Sequence, residues 1–146
     1  LIKEIYPKAK IINCKRDVLS SIVSIFQNNL ISLGWTHHLD NIFKYFNNYL
    51  KIIKSFNKKN PNVIYEVEYE KLVKDPEIES KKMMKFCELP WNKKCLQFYK
   101  RKDLFSKTAS NIQIREAIYK GSINKYLPYK KLLDKYGNKY SWFNLK

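Results

Sequence analysis

Arg16 is one of only three arginines, with Arg101 and Arg115, in a chain whose Lys and Arg total 29. Lysine supplies positive charge nearly everywhere else. A planar guanidinium grips a phosphate at two points, where an ammonium is a point charge, so the arginines are the cations to place first. Arg16 is followed by Asp17, a helix-capping residue type, and then by Ser20, Ser21 and Ser24, which share one face if a helix starts near Asp17. An arginine at the head of a helix, with the Ser24 hydroxyl one turn deeper and free N–H groups at the helix start, makes a place for an anion, and a phosphate suits it. The same residues also describe an ordinary capped helix with no ligand, and the local spacing does not choose between the two.

Such a site needs a strand and a helix to hold it. Ala9 to Cys14 is a short apolar run rich in β-branched residues, and from Val18 the apolar residues recur at helical spacing through Ile22, Ile25 and Phe26. A strand therefore hands over to a helix at Lys15-Arg16-Asp17, the position outside a strand's carboxyl end where ligands collect in open parallel sheets. Leu30 to Thr36, with Gly34, reads as a loop. Leu39, Ile42, Phe43, Phe46, Tyr49, Leu50 and Ile53 predict a long amphipathic helix whose aromatic stripe belongs to a core, ended by Asn57 to Asn62 with Pro61. Val63 to Tyr69 alternates as a second strand, and two strands joined by a long helix predict a parallel pair.

Asp75-Pro76-Glu77 is a helix start, with Asp75 as the cap, and that helix runs through Met83, Met84 and Phe86 to stop near Pro90. Trp91 is expected in a core, and Lys93 to Lys100 in a short helix. Lys102 to Gly121 is polar and without a long period, a loop of a length that is usually functional or disordered. Tyr129 to Tyr136 resumes a helical pattern that Gly137 can end.

A length of 146 residues with 45% hydrophobic content is enough for one folded domain or a piece of one. The first strand comes almost at once, which leads us to expect that the N-terminal part of a larger sheet fold lies upstream. No apolar run reaches membrane-spanning length. The formal charge of +16 implies either an anionic partner or a surface that has drifted to lysine. A basic nucleic-acid-binding module is the rival reading that composition alone suggests. The aromatics fall on helix faces that need a core and no nucleic-acid motif occurs, so nucleic acid is not expected as the partner. Cys14, Cys87 and Cys95 are odd in number and lack a CxxC spacing, and His37 and His38 are adjacent, so no metal site is expected. Buried free thiols, and hence a reducing, cytoplasmic location, are the expectation.

Four collinear segments, YPKAKIINCKRDVLSSIVSIF, VEYEKLVKDPE, FCELPWNKKCLQF and KTASNIQIREAIYKGSINKYLPY, are spread along nearly the whole chain, from Tyr6 to Tyr129. In order and spacing they resemble the sulfotransferases that use 3′-phosphoadenosine 5′-phosphosulfate, PAPS. The likeness is to the C-terminal part of the bacterial enzymes often fused to tetratricopeptide repeats, which are akin to the tyrosylprotein sulfotransferases. The resemblance implies a single domain over residues 1–146, the C-terminal portion of a sulfotransferase domain. Its fold would be α/β, a P-loop-like parallel sheet flanked by helices with the N-terminal part missing.

The implied activity is transfer of a sulfuryl group from PAPS to an acceptor hydroxyl or amine, leaving 3′-phosphoadenosine 5′-phosphate, PAP. Arg16 and Ser24 match the pair that holds the 3′-phosphate. Tyr69 matches a tyrosine against the adenine, although a core tyrosine at a strand end reads the same way. Ser110 matches a serine beside the sulfuryl group and bridging phosphate, and is the one catalytic residue the resemblance assigns. Gln113 and Arg115 match the loop wrapping the nucleotide. Lys120, Gly121 and Lys125 match positions near the phosphate, with solvated lysines the competing reading for the first and last.

Glu68 departs from a usually basic position, Asn28 from a further phosphate-binding arginine of the tyrosylprotein relatives, and Glu116-Ala117 from a proline-containing turn. The family's phosphosulfate loop, general base and transition-state lysine precede the Tyr-Pro-Lys-Ala segment, so the chain alone is expected to be inactive. Tetratricopeptide repeats upstream are an implied companion. The acceptor is not implied, and a nucleotide-binding relative without chemistry fits the same residues.

Overall fold

Strand β1, Ile11–Lys15, forms where the β-branched run predicts it, and it pairs in parallel with β2, Ile64–Glu68. Their register sets Ile11 against Ile64 and Lys15 against Glu68, so the strands end level at their carboxyl ends. The computed structural model describes residues 2–28, 30–101 and 115–143. Its architecture is a mixture of helices with this small two-stranded parallel sheet. The described chain forms two compact units, each built from two stretches of sequence: Leu1–Lys15 with Val63–Lys120, and Arg16–Asn62 with Gly121–Lys146.

The first unit holds the sheet, the short helix α1 (Ile2–Ile5), α4 (Tyr69–Lys74) and α5 (Pro76–Phe86), with α4 and α5 against β2. Val67 and Val73 are its buried aliphatics, and Tyr65 stacks on Phe86 at 5.2 Å between ring centroids. Burial, and then the charge of Glu79, push the Tyr65 phenol up from its ordinary value. Asp75 occupies the cap position of α5 with Pro76 following, yet its side chain makes no capping bond. It is also the last residue of the α4 turn, its N–H donating to the Lys71 carbonyl, so the two helices abut without a linker. Helix α5 ends at Phe86 with Cys87 as its C-cap, and Glu88 takes a left-handed φ of 59°. The indole of Trp91 is half-buried and donates to Ser80 Oγ at 2.9 Å. Lys93–Lys100 is helical in the tighter 3₁₀ form, broken at Gln97.

The second unit is organised around α2 (Val18–Gln27) and α3 (Leu39–Lys59). Leu19, Ile22 and Val23 of α2 meet Ile42 and Phe43 of α3 in one cluster with Tyr126, Leu133 and Tyr136 from the C-terminal stretch. Phe43 stacks on Tyr136 at 3.9 Å with 11° between the planes, and Tyr140, Trp142 and Phe143 pack around it. The aromatic stripe is core, as its spacing predicts. Helix α3 runs through the Asn-rich stretch to Lys59, because half-buried Phe56 keeps one face occupied and Asn60 closes the last turn through its N–H to the Phe56 carbonyl.

The expected loop at Leu30 to Thr36 tightens into a 3₁₀ turn over Gly34–His37. After a 3₁₀ turn at Leu127–Tyr129 comes α6, Lys130–Leu133, and a further 3₁₀ turn at Asp134–Tyr136. Gly137 follows with an ordinary right-handed φ of −54°, so its role is space and not handedness: an added Cβ would lie 3.2 Å from the Asp134 carbonyl. The expectation of buried thiols is not met. Cys14 is exposed on the small sheet, and Cys87 and Cys95 are half-buried; all three are free.

Candidate functional site

Helix α2 begins where the strand-to-helix change of period puts it. Asp17 is its N-cap, with φ −46° and ψ 124°, and the Asp17 carboxylate accepts a 2.7 Å hydrogen bond from the Ser20 N–H. The Ser21 hydroxyl donates back to the Asp17 carbonyl at 2.9 Å. The head of α2 is therefore closed by its own carboxylate, which takes up one of the N–H groups expected for an anion and sets a negative charge beside the others.

Arg16 sits immediately before this cap, half-buried, and its guanidinium donates to the backbone carbonyl of Ser122. That bond joins two segments 106 residues apart. It brings Arg16 to the turn of residues 121–126, which carries Gly121 and Lys125. The turn is fixed from below by Tyr126, buried in the same core as Ile22 and Phe43, and it contains Asn124 at a left-handed φ of 56°. Gly121 is exposed at the start of the turn, and Lys125 is half-buried.

Ser24 is half-buried on α2, and its hydroxyl has no hydrogen-bond partner among the described residues. It stands seven residues beyond Asp17, close to two turns or about 10 Å of helix rise. That is deeper than the single turn expected. Ser20, one turn nearer the cap, is fully buried with an unpartnered hydroxyl, so of the three serines only Ser24 offers a partly accessible, uncommitted oxygen.

Tyr69 belongs to the first unit. It is the first residue of α4 and not the last of the strand, half-buried, directly after the Lys15–Glu68 pair that closes the sheet. Arg115 and Lys120 are exposed in that same unit. Ser110 and Gln113 lie outside the described residues. The structure thus brings together Arg16 and the Gly121 turn, and it leaves Tyr69, Arg115 and Lys120 in the other unit. Sequence reasoning missed the Ser122 carbonyl, because a main-chain acceptor has no residue-type signature. It also missed Tyr126, whose aromatic side chain among polar turn residues was the available signal. Among the described residues no three His, Cys, Asp or Glu side chains gather as metal ligands, and no helix is long and apolar enough to cross a membrane.

Comparison with known proteins adds two findings. A family model described as "Sulfotransferase family" matches residues 1–93, a stretch that includes Arg16, Ser24 and Tyr69 and stops before Ser110. An uncharacterized protein of Aquifex aeolicus (strain VF5) is 36% identical over 137 residues, an alignment covering 91% of this chain and 18% of that protein. The chain thus spans less than a fifth of the length of the curated relative it matches.

Proposed function

The chain belongs to the sulfotransferase family, and on that premise we propose that it carries the 3′-phosphate- and adenine-binding part of an enzyme that moves a sulfuryl group from PAPS to an acceptor hydroxyl or amine. In that reaction the acceptor's lone pair forms a bond to sulfur as the bond from sulfur to the bridging phosphate oxygen breaks. PAP leaves with the electron pair, and the acceptor's proton passes to a base outside this chain. The observation that carries the proposal is the placing of Arg16. One of few arginines stands at the strand-to-helix junction, tied to the main chain beside Gly121, with an uncommitted serine hydroxyl further along α2.

A guanidinium held by a carbonyl is oriented before the ligand arrives, which lowers the ordering cost of gripping a phosphate. Tyr69, Arg115 and Lys120 enter through the family's pattern, as the adenine neighbour and as cations for the remaining charges, and so do Ser110 and Gln113. A P-loop-like sheet is likewise the family's architecture, of which β1 and β2 would be one parallel pair.

Titration calorimetry of the 146-residue chain with PAP and with AMP tests this reading. The two nucleotides differ at the 3′-phosphate, and charge-assisted hydrogen bonds contribute about 1.5–3 kcal/mol each, so PAP should bind at least roughly tenfold more tightly. Ser24→Ala should narrow the difference. Equal affinities for PAP and AMP would overturn the assignment of Arg16 and Ser24.

A further inference from the structure

We propose that the outer face of α3 is an adsorption surface for an anionic lipid bilayer. Helix α3 carries five lysines, and its one acidic residue, Asp40, lies in its first turn. Lys44, Lys51 and Lys58 recur every seven residues and so share a single stripe, which extends over about 21 Å at 1.5 Å per residue. All are exposed, and no lysine of α3 has an ion-pair partner among the described residues. In the first unit several lysines sit in ion pairs: Lys71 with Glu68, Lys81 with Glu77, Lys82 with Glu79, Lys10 with Glu88 and Lys15 with Glu66. On α3 no lysine is so paired among the described residues, and its five positive charges stand uncompensated along one helix.

Charge alone would serve any polyanion. What selects a bilayer is the flank of the stripe, where Tyr45 and Ile52, again seven residues apart, are 50% and 66% exposed. A phosphodiester backbone gains little from an aliphatic side chain beside its charges. A membrane surface gains more, because the lysines meet headgroup phosphates while the apolar flank reaches the acyl boundary. The opposite face of α3 is committed to the core through Ile42 and Phe43, so the helix can lie flat on a bilayer without leaving its own unit. This surface is independent of nucleotide binding.

Co-sedimentation of the full chain with vesicles tests the proposal. Binding is expected to phosphatidylcholine vesicles containing phosphatidylglycerol and not to phosphatidylcholine alone, and it should weaken with added salt. A lysine near an anionic surface contributes about 1 kcal/mol, roughly fivefold in partitioning, so the triple variant Lys44→Gln, Lys51→Gln, Lys58→Gln should lose on the order of 100-fold. Lys71→Gln, Lys81→Gln, Lys82→Gln removes the same charge from the first unit and should cost far less. Ile52→Ser, which leaves the charge untouched, should lower partitioning several-fold, and it reads the same surface should the triple variant fail to keep its circular dichroism. Equal losses from the two triple variants would overturn the proposal in favour of bulk charge. Unchanged binding by Ile52→Ser, or tighter binding to a short DNA duplex that Ile52→Ser leaves unaltered, would overturn it in favour of a nucleic-acid surface.

Discussion

Arg16 and Ser110 separate binding from chemistry, and the proposed roles make their variants fail in different ways in the full-length enzyme. Arg16→Lys keeps the charge and loses the two-pronged grip as well as the fixed bond to the Ser122 carbonyl. Its expected effect is a donor KM raised about tenfold with kcat nearly unchanged, because the 3′-phosphate is remote from the breaking bond. A hydroxyl at Ser110, placed by the family's pattern beside the sulfuryl group, strengthens its hydrogen bond as charge builds on the departing phosphate, so Ser110→Ala should lower kcat more than it raises KM. Steady-state kinetics with PAPS varied distinguish the two, and an unchanged kcat in a folded Ser110→Ala protein would remove that serine from the mechanism. At this scale the sequence was legible where a side chain acts on its neighbours: Asp17 as a cap and Arg16 at the strand end follow from types and spacing. The closing of the α2 terminus by that same carboxylate was equally local, yet an aspartate at a cap competes with an external anion for the same N–H groups, and only geometry shows which of the two holds them.

Helix α3 shows what an element's period does and does not encode. Its aromatic face predicted a core and found Tyr136, a partner 93 positions downstream of Phe43 whose pairing no spacing reveals. The same contact makes a pH prediction. The Tyr136 hydroxyl donates to Asp40 Oδ2 at 3.3 Å while the ring is 1% exposed, and burial first, then the Asp40 charge, push its ionisation up to about 12 from 10.0. Below the unfolded value both states hold the proton and the difference contributes nothing to a change with pH. Between the unfolded and folded values only the unfolded chain ionises, so stability present at neutral pH should fall as pH rises through that window, by up to roughly 2–3 kcal/mol. Urea unfolding at stepped alkaline pH should show the loss, and Tyr136→Phe should flatten the dependence. Tyr140, raised by burial and by Asp40, would leave a residue of slope. A variant as pH-sensitive as the parent would place the alkaline transition elsewhere. Strand ends and helix ends were legible to within a residue or two at α2 and β2. At α3 the end falls at Lys59, inside the Asn57 to Asn62 stretch expected to close it, and at Asp75 the helix start was legible while the side-chain capping bond was not, because that residue is shared between two helices.

At the scale of the whole molecule, the division into two units follows from where the apolar side chains go, and hydrophobic burial predicts that the units differ in stability. The second unit collects Leu19, Ile22, Val23, Ile42, Phe43, Tyr126, Leu133 and Tyr136 into one cluster with aromatic stacking around Phe43. Among the described residues the first unit buries only Val67 and Val73 as hydrophobics, and its sheet has two strands, a size that is marginal without further cover. Each fully buried aliphatic or aromatic side chain contributes about 1.5–3 kcal/mol, so the difference in cores outweighs the ion pairs of the first unit, exposed pairs being worth about 0–1 kcal/mol. None of this division was legible from the sequence, because Val67 and Ile22 both sit among β-branched residues of a regular element, and which core covers each depends on what folds over it. Native-state hydrogen exchange on the 146-residue chain should therefore show the amides of α2 and the first half of α3 exchanging only through the largest opening, while those of β1, β2 and α5 exchange through a smaller, separate one. Phe43→Ala, expected to cost about 3–5 kcal/mol, should accelerate exchange in α2 and α3 and leave the rates in β1 and β2 little changed. If all these amides instead merge into a single exchange isotherm with one free energy, and Phe43→Ala shifts every one of them alike, the two units unfold as one cooperative body, and the aromatic cluster supports the sheet as well as the helices.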